Sequence, residues 1–418
     1  MDRENNWKRL EEQISLLGFN GKRSALAMRE YYSAFDLSML EWLGRLYCPS
    51  VGGFYFSNSA RDNEFVETEE GRFKLLPDVE STYQALSLLK SAGVINEYSE
   101  LHRSMRKSIS EFVCSLESEE NGFFYHPQWT KEMVDSKPAR RGRDIRWSIL
   151  ISEMLGFEFP YPTALQRLSS IKETKSADKS IPEYLYDKES FLEYLKSFDW
   201  DNDAYYAGNS ISAQSGMINA SGLMDTAIEF LNSVQNAKNG FWGLQGGYTA
   251  VNAYLKISNF YTTYGRVIPN SDKAFETVLE CAVSDEAVNT VCWQYNVWSS
   301  FGNIIRNLRA TGEAAEAEKL LSSLYENLPE AIDSTRKKAL VFKKADSSFS
   351  YNPKRNPQVS QGLPVTTKEC NEGCINATLL CSAATVKNVF SALDLDEYRL
   401  PIFAENAFDV FNSACKLN

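Results

Sequence analysis

Apolar residues along the chain recur with the spacing of α-helices and form two kinds of stretch. Stretches of the first kind carry charges along one face, as helices with one side in water do; examples are residues 98–116, 223–234 and 313–332. Stretches of the second kind are small or apolar nearly all round, so protein must surround them. No run alternates convincingly, so we predict an all-α protein with under a tenth of its residues in strands. The second kind comprises 78–92, 144–155, 211–219, 247–264, 296–310 and 373–391.

A short glycine and aromatic signature joins stretches of the first kind to stretches of the second kind. The order of amphipathic helix, aromatic turn and buried helix repeats six times, which predicts an inner and an outer ring of helices. An open solenoid is the competing interpretation, but solenoid repeats keep a constant period. Here the spacing is irregular and several loops are long, which favours a closed ring. Strong copies of the signature lie at 52–55, 121–125 and 239–243, and weaker copies at 202–206, 291–295 and 347–351.

In this architecture the chain resembles the six-hairpin (α/α)6 toroid enzymes. These include many glycoside hydrolases and polysaccharide lyases and, more distantly, the terpene cyclase and protein prenyltransferase toroids. The resemblance covers most of residues 28–418 and rests on hairpins and short turns, without any family's catalytic motif. It implies one toroid domain over 1–418, with residues 1–27 as an N-terminal helical extension. Residues 156–187, with three prolines around a Lys/Ser/Thr-rich middle, are predicted to be an insertion within the ring.

Composition excludes several classes of partner. The 418 residues carry 44 Lys and Arg against 55 Asp and Glu, a net charge of -11, which repels nucleic acid and anionic lipid. The first residues lack the apolar region of a secretion signal, and no apolar run approaches the roughly 18 residues of a membrane span. The eight cysteines are scattered. We therefore expect a soluble cytoplasmic protein with neither a nucleic-acid nor a membrane partner; its oligomeric state stays open.

Residue motifs also limit the chemistry. With two histidines in the chain, a histidine-based metal cluster is excluded, and Cys370 and Cys374 lack a second pair at zinc-site spacing. The chain contains no Walker loop, dinucleotide fingerprint or nucleophile elbow. We therefore expect no metal and no cofactor.

Candidate catalytic residues are carboxylates at the starts of buried stretches. In a ring of hairpins these starts share one face, and their helix dipoles favour polar or anionic ligands. Glycosidic cleavage needs two carboxyl groups about 5 to 9.5 Å apart. Each candidate also has a structural interpretation as a helix cap or an ion-pair partner. The candidates are Asp78, Glu80, Asp144, Asp203 and Glu372.

Candidate binding residues combine flat aromatic rings with amides and arginines. Sugars stack their C–H faces on rings and hydrogen-bond through their hydroxyl groups. The arginine group at 140–146 is either a solvated loop or a site for carboxylate or sulfate, and His126 is either a general base or a structural histidine. The substrate-binding candidates are Arg143, Arg146, His126, Trp129, Trp147, Tyr205, Tyr206, Trp242, Tyr248, Asn252, Tyr295, Trp298 and Asn376.

These residues lead to one functional hypothesis and two alternatives. The hypothesis is an enzyme that hydrolyses, or cleaves by elimination, small oligosaccharides, including those with uronates. The alternatives are a non-catalytic toroid that serves as a binding or scaffold module, and an isoprenoid-handling toroid, which needs a dry aromatic cavity. We expect the largest pocket at the ring mouth, lined by at least two of the five carboxylates.

Overall fold

The computed structural model describes residues 3–69, 71–170, 181–367 and 370–416. Helices dominate this part of the chain, and its strands are short, so the prediction of an all-α protein is confirmed. The helices are α1 (Arg3–Leu16), α2 (Gly21–Tyr32), α3 (Ser38–Arg45), α4 (Asn58–Asp62), α5 (Val79–Ser91), α6 (Arg103–Ser115), α7 (Lys131–Asp135), α8 (Pro138–Leu155), α9 (Ala164–Ser170), α10 (Lys188–Lys196), α11 (Ala204–Ala213), α12 (Ser215–Ala220), α13 (Met224–Val234), α14 (Gly247–Thr263), α15 (Ser271–Val283), α16 (Val291–Ala310), α17 (Ala314–Glu326), α18 (Leu328–Leu340), α19 (Ile375–Leu379), α20 (Thr385–Ala392) and α21 (Ala407–Ala414).

Three antiparallel hairpins and a few irregular turns complete the described elements. The hairpins pair β1 (Tyr47–Cys48) with β2 (Gly53–Phe54), β3 (Phe65–Thr68) with β4 (Gly71–Lys74), and β5 (Val359–Ser360) with β6 (Leu363–Pro364). Short 3-10 turns lie at Tyr98–Glu100, Glu183–Leu185 and Asp396–Tyr398, and a π-helical turn at Leu380–Ala384 joins α19 to α20. Within the described ranges, no helix has the length and apolar character to span a membrane.

The buried helices contact one another in a closed cycle. Helix α5 packs against α8, α8 against α11, α11 against α14, and α14 against α16. Helix α16 then packs against α20, and α19 returns to α5. Amphipathic helices pack on members of this cycle, as α6 does on α8 and α15 on α14 and α16. The apolar core lies between the two groups, where Trp298 of α16 is fully buried and its Nε1 donates to Thr335 of α18.

Two of the three strong copies of the aromatic signature, 121–125 and 239–243, share one turn geometry. Asn121 and Asn239 accept hydrogen bonds from the backbone N–H groups two residues later, at 3.0 and 3.1 Å. Gly122 and Gly240 have φ angles of 70° and 72°, and a Cβ atom there would lie 2.4 Å from Pro162 O and 2.3 Å from Asn270 O. Glycine is required at both positions because the backbone is left-handed and tightly packed.

Several helix starts differ from their predicted positions. Helix α8 begins at Pro138, six residues before the predicted start at 144, because proline is favoured in the first turn of a helix. The arginine group at 140–146 is therefore helical, and its prediction as a loop was wrong. The signature copy at 291–295 is also helical, since α16 begins there. In place of one helix over 211–219, α11 ends and α12 begins near Gln214.

Two predicted segments extend beyond the described residues. The predicted extension 1–27 contains α1 and most of α2, which packs against α18, while residues 1 and 2 lie outside the described part. The predicted insertion 156–187 contains α9 and the turn Glu183–Leu185, while its residues 171–180 lie outside the described part. The boundaries of the extension and the insertion stay predictions.

Candidate ligand-binding cavity

A cavity of about 510 Å³ lies among the helices of the closed cycle. Every helix of the cycle contributes to its lining. The β5–β6 hairpin lies at one end, where Gln361 lines the cavity and Ser360 Oγ donates to Glu80 Oε2 at 2.5 Å. Backbone oxygen of Pro364 anchors the hairpin by accepting from Gln128 Nε2 and Trp129 Nε1, at 2.6 and 3.0 Å.

The lining is polar and predominantly cationic, although the whole protein is acidic. Among the described residues that line the cavity, Glu80 is the only carboxylate, against four cationic side chains. Amides and phenol rings supply most of the other polar surface. The cations are Lys90, Arg143, Lys256 and Lys387; the amides include Gln84, Asn209, Asn259, Asn296, Asn376 and Asn388; the aromatic residues are Tyr83, Tyr98, Trp147, Tyr205, Tyr295 and Tyr351.

Glu80 is tied to a fully buried arginine behind the cavity wall. Arg140 Nη1 lies 3.3 Å from Glu80 Oε2, and its Nε lies 2.9 Å from Asp144 Oδ1. The guanidinium carbon lies 4.5 Å from the Trp129 ring centroid and 5.6 Å from that of Trp147. Burial raises the pKa of Glu80 and raises that of Asp144 to about 7, while Arg140 opposes both shifts. This bridge fixes α5 to α8.

Arg143, another arginine of α8, lies in the cavity beside Lys256 of α14, and these two residues have a different environment. Arg143 donates from Nη2 to Asn209 Oδ1 at 2.7 Å, and Lys256 Nζ lies 5.9 Å from the Tyr205 ring centroid. Burial, reinforced by the charge of Arg143, lowers the pKa of Lys256 to about 8. Within the described part of the chain, neither cation has a carboxylate oxygen within 4 Å. Two neighbouring cations without an ion-pair partner among the described residues make this part of the cavity electropositive.

The cavity lining also contains phenol hydroxyl groups and the thiol of Cys292. Tyr351 Oη lies 3.1 Å from Cys292 Sγ. The neighbouring Cys292 and burial raise the pKa of Tyr351, and burial raises the pKa of Tyr205. Both phenols therefore stay protonated near neutral pH and can donate hydrogen bonds or a proton to a ligand.

The five candidate carboxylates do not converge on the cavity. Glu80 lines it, whereas Asp144 lies behind the wall in the arginine bridge. Asp78 caps α5 by accepting from Ser81 N at 2.7 Å, and exposed Asp203 caps α11 by accepting from Tyr206 N at 3.1 Å. Glu372 accepts from Ser57 Oγ and Ser59 N near the start of α4, at 2.7 and 2.9 Å. The expectation that at least two would line the pocket was wrong: Asp78, Asp203 and Glu372 accept from backbone N–H groups at helix starts, and Asp144 is paired with Arg140.

The prediction that the largest pocket lies at the ring mouth was also wrong. A groove of about 840 Å³ between α1 and the segment around Tyr398 is larger than the cavity. Arg3, Arg9 and Arg399 line it together with Glu397 and Glu405, so its charges are mixed. No candidate residue from the sequence lies in this groove.

Five of the thirteen binding candidates line the cavity, and the others lie elsewhere. Arg146 is exposed and lines a separate small pocket, and Tyr206 is 59% exposed outside the cavity. Trp242 and Tyr248 are core residues whose polar atoms donate to Leu231 O and Cys281 O. Trp298 is in the core, Trp129 packs on Arg140, and Asn252 supports the wall by accepting from Asn296 Nδ2 at 2.7 Å. The lining candidates are Arg143, Trp147, Tyr205, Tyr295 and Asn376.

His126 occupies a structural position. Its Nε2 lies 2.7 Å from Pro77 O, and its Nδ1 accepts from Gln128 N at 3.2 Å, a pattern that fits the tautomer with the proton on Nε2. Burial lowers the pKa of His126 to about 4. The side chain is therefore a neutral hydrogen-bonded link between two loops, and it does not line the cavity.

Several cavity residues were absent from the sequence-based candidates. Lys256 and Asn259 lie within α14, and Asn209 lies within α11. A signal for the first two was present, since Asn252, Lys256 and Asn259 place polar side chains at helical spacing within an otherwise apolar stretch. Lys90 and Lys387 had no comparable signal, because they resemble ordinary surface lysines.

Comparisons with known proteins leave the cavity to be interpreted from its own residues. The chain matches no protein-family model, no curated protein and no solved structure. Across the described residues, no group of three or more histidine, cysteine or acidic side chains is arranged to hold a metal ion. Cys374, one of the close cysteine pair in the sequence, is buried at the start of α19, where its sulfur accepts a hydrogen bond from Ala377 N at 3.4 Å.

Proposed function

We propose that the chain is a six-hairpin α/α toroid whose central cavity binds a small anionic saccharide and cleaves it by elimination. Support for the ring comes from the closed cycle of contacts between buried helices. The observation that carries the ligand class is the neighbouring pair Arg143 and Lys256, which have no carboxylate partner among the described residues.

The cationic pair favours an anionic ligand because like charges repel each other most strongly where water is partly excluded. Burial, with a smaller contribution from the charge of Arg143, lowers the pKa of Lys256 to about 8, so the protein compensates its positive charge poorly. A ligand carboxylate placed between the two groups would offset it and could bind the arginine through two N–H donors. Among the described residues, Arg143 Nε has no hydrogen-bond partner, so a donor remains for such a ligand.

The remaining lining favours a saccharide over an isoprenoid. Polyprenyl chains need a dry, apolar tunnel, whereas the lining of this cavity includes seven amide side chains and four cations. Amides and phenols match the hydroxyl groups of sugars, and Trp147 with the tyrosine rings offers flat surfaces for their C–H faces. These residues therefore support a saccharide ligand.

Elimination suits the lining better than hydrolysis by two carboxylates. Hydrolysis needs a free acid and base pair, but Glu80 is held by Arg140 and no second carboxylate lines the cavity among the described residues. In the proposed elimination, Arg143 neutralises the uronate carboxylate and Lys256 Nζ takes the proton from the adjacent carbon. The bond from the next carbon to the glycosidic oxygen breaks, a carbon–carbon double bond forms, and Tyr205 or Tyr351 protonates the leaving oxygen.

A screen of acidic and neutral oligosaccharides tests this proposal. Elimination creates a double bond conjugated to the carboxylate, so ultraviolet absorbance follows the product directly, while calorimetry reports binding. We expect acidic oligosaccharides to bind and to be cleaved, and neutral ones of the same length to do neither. Binding without cleavage would favour the non-catalytic binding module, and equal binding of neutral and acidic sugars would reject the anionic ligand.

Arg143→Lys and Arg146→Lys form a matched pair for the same screen. Arg143 lines the cavity, whereas Arg146 is exposed outside it, although the two lie three residues apart on one helix. Arg143→Lys keeps the charge but removes two-point recognition of a carboxylate. We expect it to weaken binding of acidic sugars and Arg146→Lys to leave binding unchanged.

A further inference from the structure

The cavity continues well beyond the Arg143 and Lys256 pair, and a second cationic group lies farther along it. We propose that the ligand is an elongated acidic oligosaccharide, at least a disaccharide, with a second anionic group bound by Lys90 and Lys387. This inference rests on the proposed function and specifies its substrate class.

Helix α5 shows the length of the cavity. Its lining residues are Glu80, Tyr83, Gln84, Ser87, Lys90 and Ser91, which follow one face of the helix from its first turn to its last. The ten residues from Glu80 to Lys90 correspond to a rise of about 15 Å. Lining residues from Asn376 of α19 to Lys387 of α20 extend over a comparable length of chain. Such a cavity is longer than one sugar ring.

The two cationic groups are associated with different ends of this face. Arg143 and Lys256 interact electrostatically with Glu80 in the first turn of α5. Lys90 lies in the last turn, where its Nζ is 5.9 Å from the ring centroid of Tyr98. Between these ends, Tyr83, Gln84 and Tyr295 provide hydroxyl and amide groups. An elongated saccharide can therefore keep polar contacts along its length.

The protein supplies little negative charge to compensate Lys90 and Lys387. Glu97 lies 3.3 Å from Lys90 Nζ, but its side chain is 74% exposed, which makes this a weak surface pair. Lys387 is exposed at the edge of the cavity and forms no ion pair with any described residue, and it lies within the continuous helical segment from α19 to α20. The dipole of α5 favours a cation at Lys90 near the helix end, whereas Lys387 lies inside α20 and lines the same cavity.

Calorimetry with glucuronate and digalacturonate tests the inference. We expect digalacturonate to bind more tightly than glucuronate, since it can reach both cationic groups. The double variant Lys90→Gln/Lys387→Gln should weaken digalacturonate binding by about tenfold, as expected for two solvent-exposed charge contacts, and leave glucuronate binding unchanged. The exposed pair Lys22→Gln/Lys319→Gln, outside the cavity, controls for net charge.

The outcomes separate this inference from the proposed function. Equal affinities for the two sugars, or an equal loss for both in the double variant, would overturn the second anionic site while leaving the first intact. If neither sugar bound the unaltered protein, the proposed function itself would fall. The variant Arg143→Gln should weaken the binding of both sugars, which tests the first anionic site independently of the second.

Discussion

Helix α8 carries two arginines three residues apart whose surroundings differ. Arg140 is fully buried and contacts the carboxylates of Glu80 and Asp144 between two tryptophan rings. Arg143 points to the cavity, with Asn209 as its hydrogen-bond partner and Lys256 as a cationic neighbour. The first arginine completes a network within the protein, whereas the second leaves positive charge for a ligand. Charge compensation thus distinguishes a structural arginine from a binding arginine on the same helix.

Removal of Arg140 should give the largest effect of the predicted variants, and the effect should be on the stability of the fold. Arg140→Met leaves Glu80 and Asp144 as buried carboxylates without a cation. We expect the free energy of unfolding to fall by about 3 to 5 kcal/mol, as for breaking a buried ion pair from one side. Urea unfolding measures it. Arg143→Met should change this free energy by less than about 1 kcal/mol, since it also removes repulsion with Lys256. Equal losses in the two variants would contradict the contrast.

Removal of the cavity cations should act on binding instead. Arg143→Gln and Lys256→Gln each take one charge from the pair that we propose binds a ligand carboxylate. Loss of one member of a desolvated charge contact costs about 2 to 3 kcal/mol, or roughly 30- to 150-fold in Kd. Titration with digalacturonate measures this loss, and Arg146→Gln is the control. A fall in stability as large as the fall in binding would make Arg143 structural.

Protonation of Lys256 offers a smaller and more specific test. Its pKa of about 8 in the folded protein lies below the ordinary lysine value of 10.5. Between these values the unfolded chain binds more protons than the folded chain, so stability should rise with pH from about 8 to 10.5. An anion bound beside Lys256 should raise its pKa. We therefore expect fractional proton uptake on binding near pH 8.5, measured by calorimetry in buffers of different ionisation enthalpy.

Lys256→Gln should remove both the rise in stability and the proton uptake. Arg146→Gln should retain both, because Arg146 lies outside the cavity. Proton uptake that persisted in Lys256→Gln would assign the titrating group to another residue. The kcat/KM of elimination, which follows the ligand-free protein and needs uncharged Lys256 as the base, should increase as pH rises through about 8, even while anion affinity falls.

The helical character and the turns followed from the sequence more closely than the site did. Gly122 and Gly240 mark turns because no other residue tolerates their left-handed, crowded backbone. Helix α8 begins at Pro138, so the arginines predicted to lie in a loop are helical and lie on two different faces of the helix. The helical spacing predicts that Arg140 and Arg143 have different surroundings. Only the residues of other helices that pack against α8 show which arginine has carboxylate partners.

Candidate carboxylates were the least predictable part of the site. An acidic residue at a helix start has the same sequence pattern whether it caps the helix or faces a cavity. Asp78 and Asp203 cap helices, while Glu80, two residues after one of these caps, reaches the cavity. Lys256 was overlooked because a single lysine in an apolar stretch does not show which residues of other helices surround it.

Asp203 provides the smallest predicted effect and tests this distinction directly. Its side chain accepts from Tyr206 N at 3.1 Å, it is exposed, and it does not line the cavity. Asp203→Ala removes a helix cap, so unfolding should become easier by about 1 kcal/mol, while Asp203→Asn, which retains the acceptor, should cost only a few tenths. Digalacturonate affinity and cleavage should stay unchanged in both variants. If Asp203→Asn abolished cleavage while stability stayed constant, the charge of Asp203 would be catalytic, and the two-carboxylate hydrolysis would replace elimination as the better explanation.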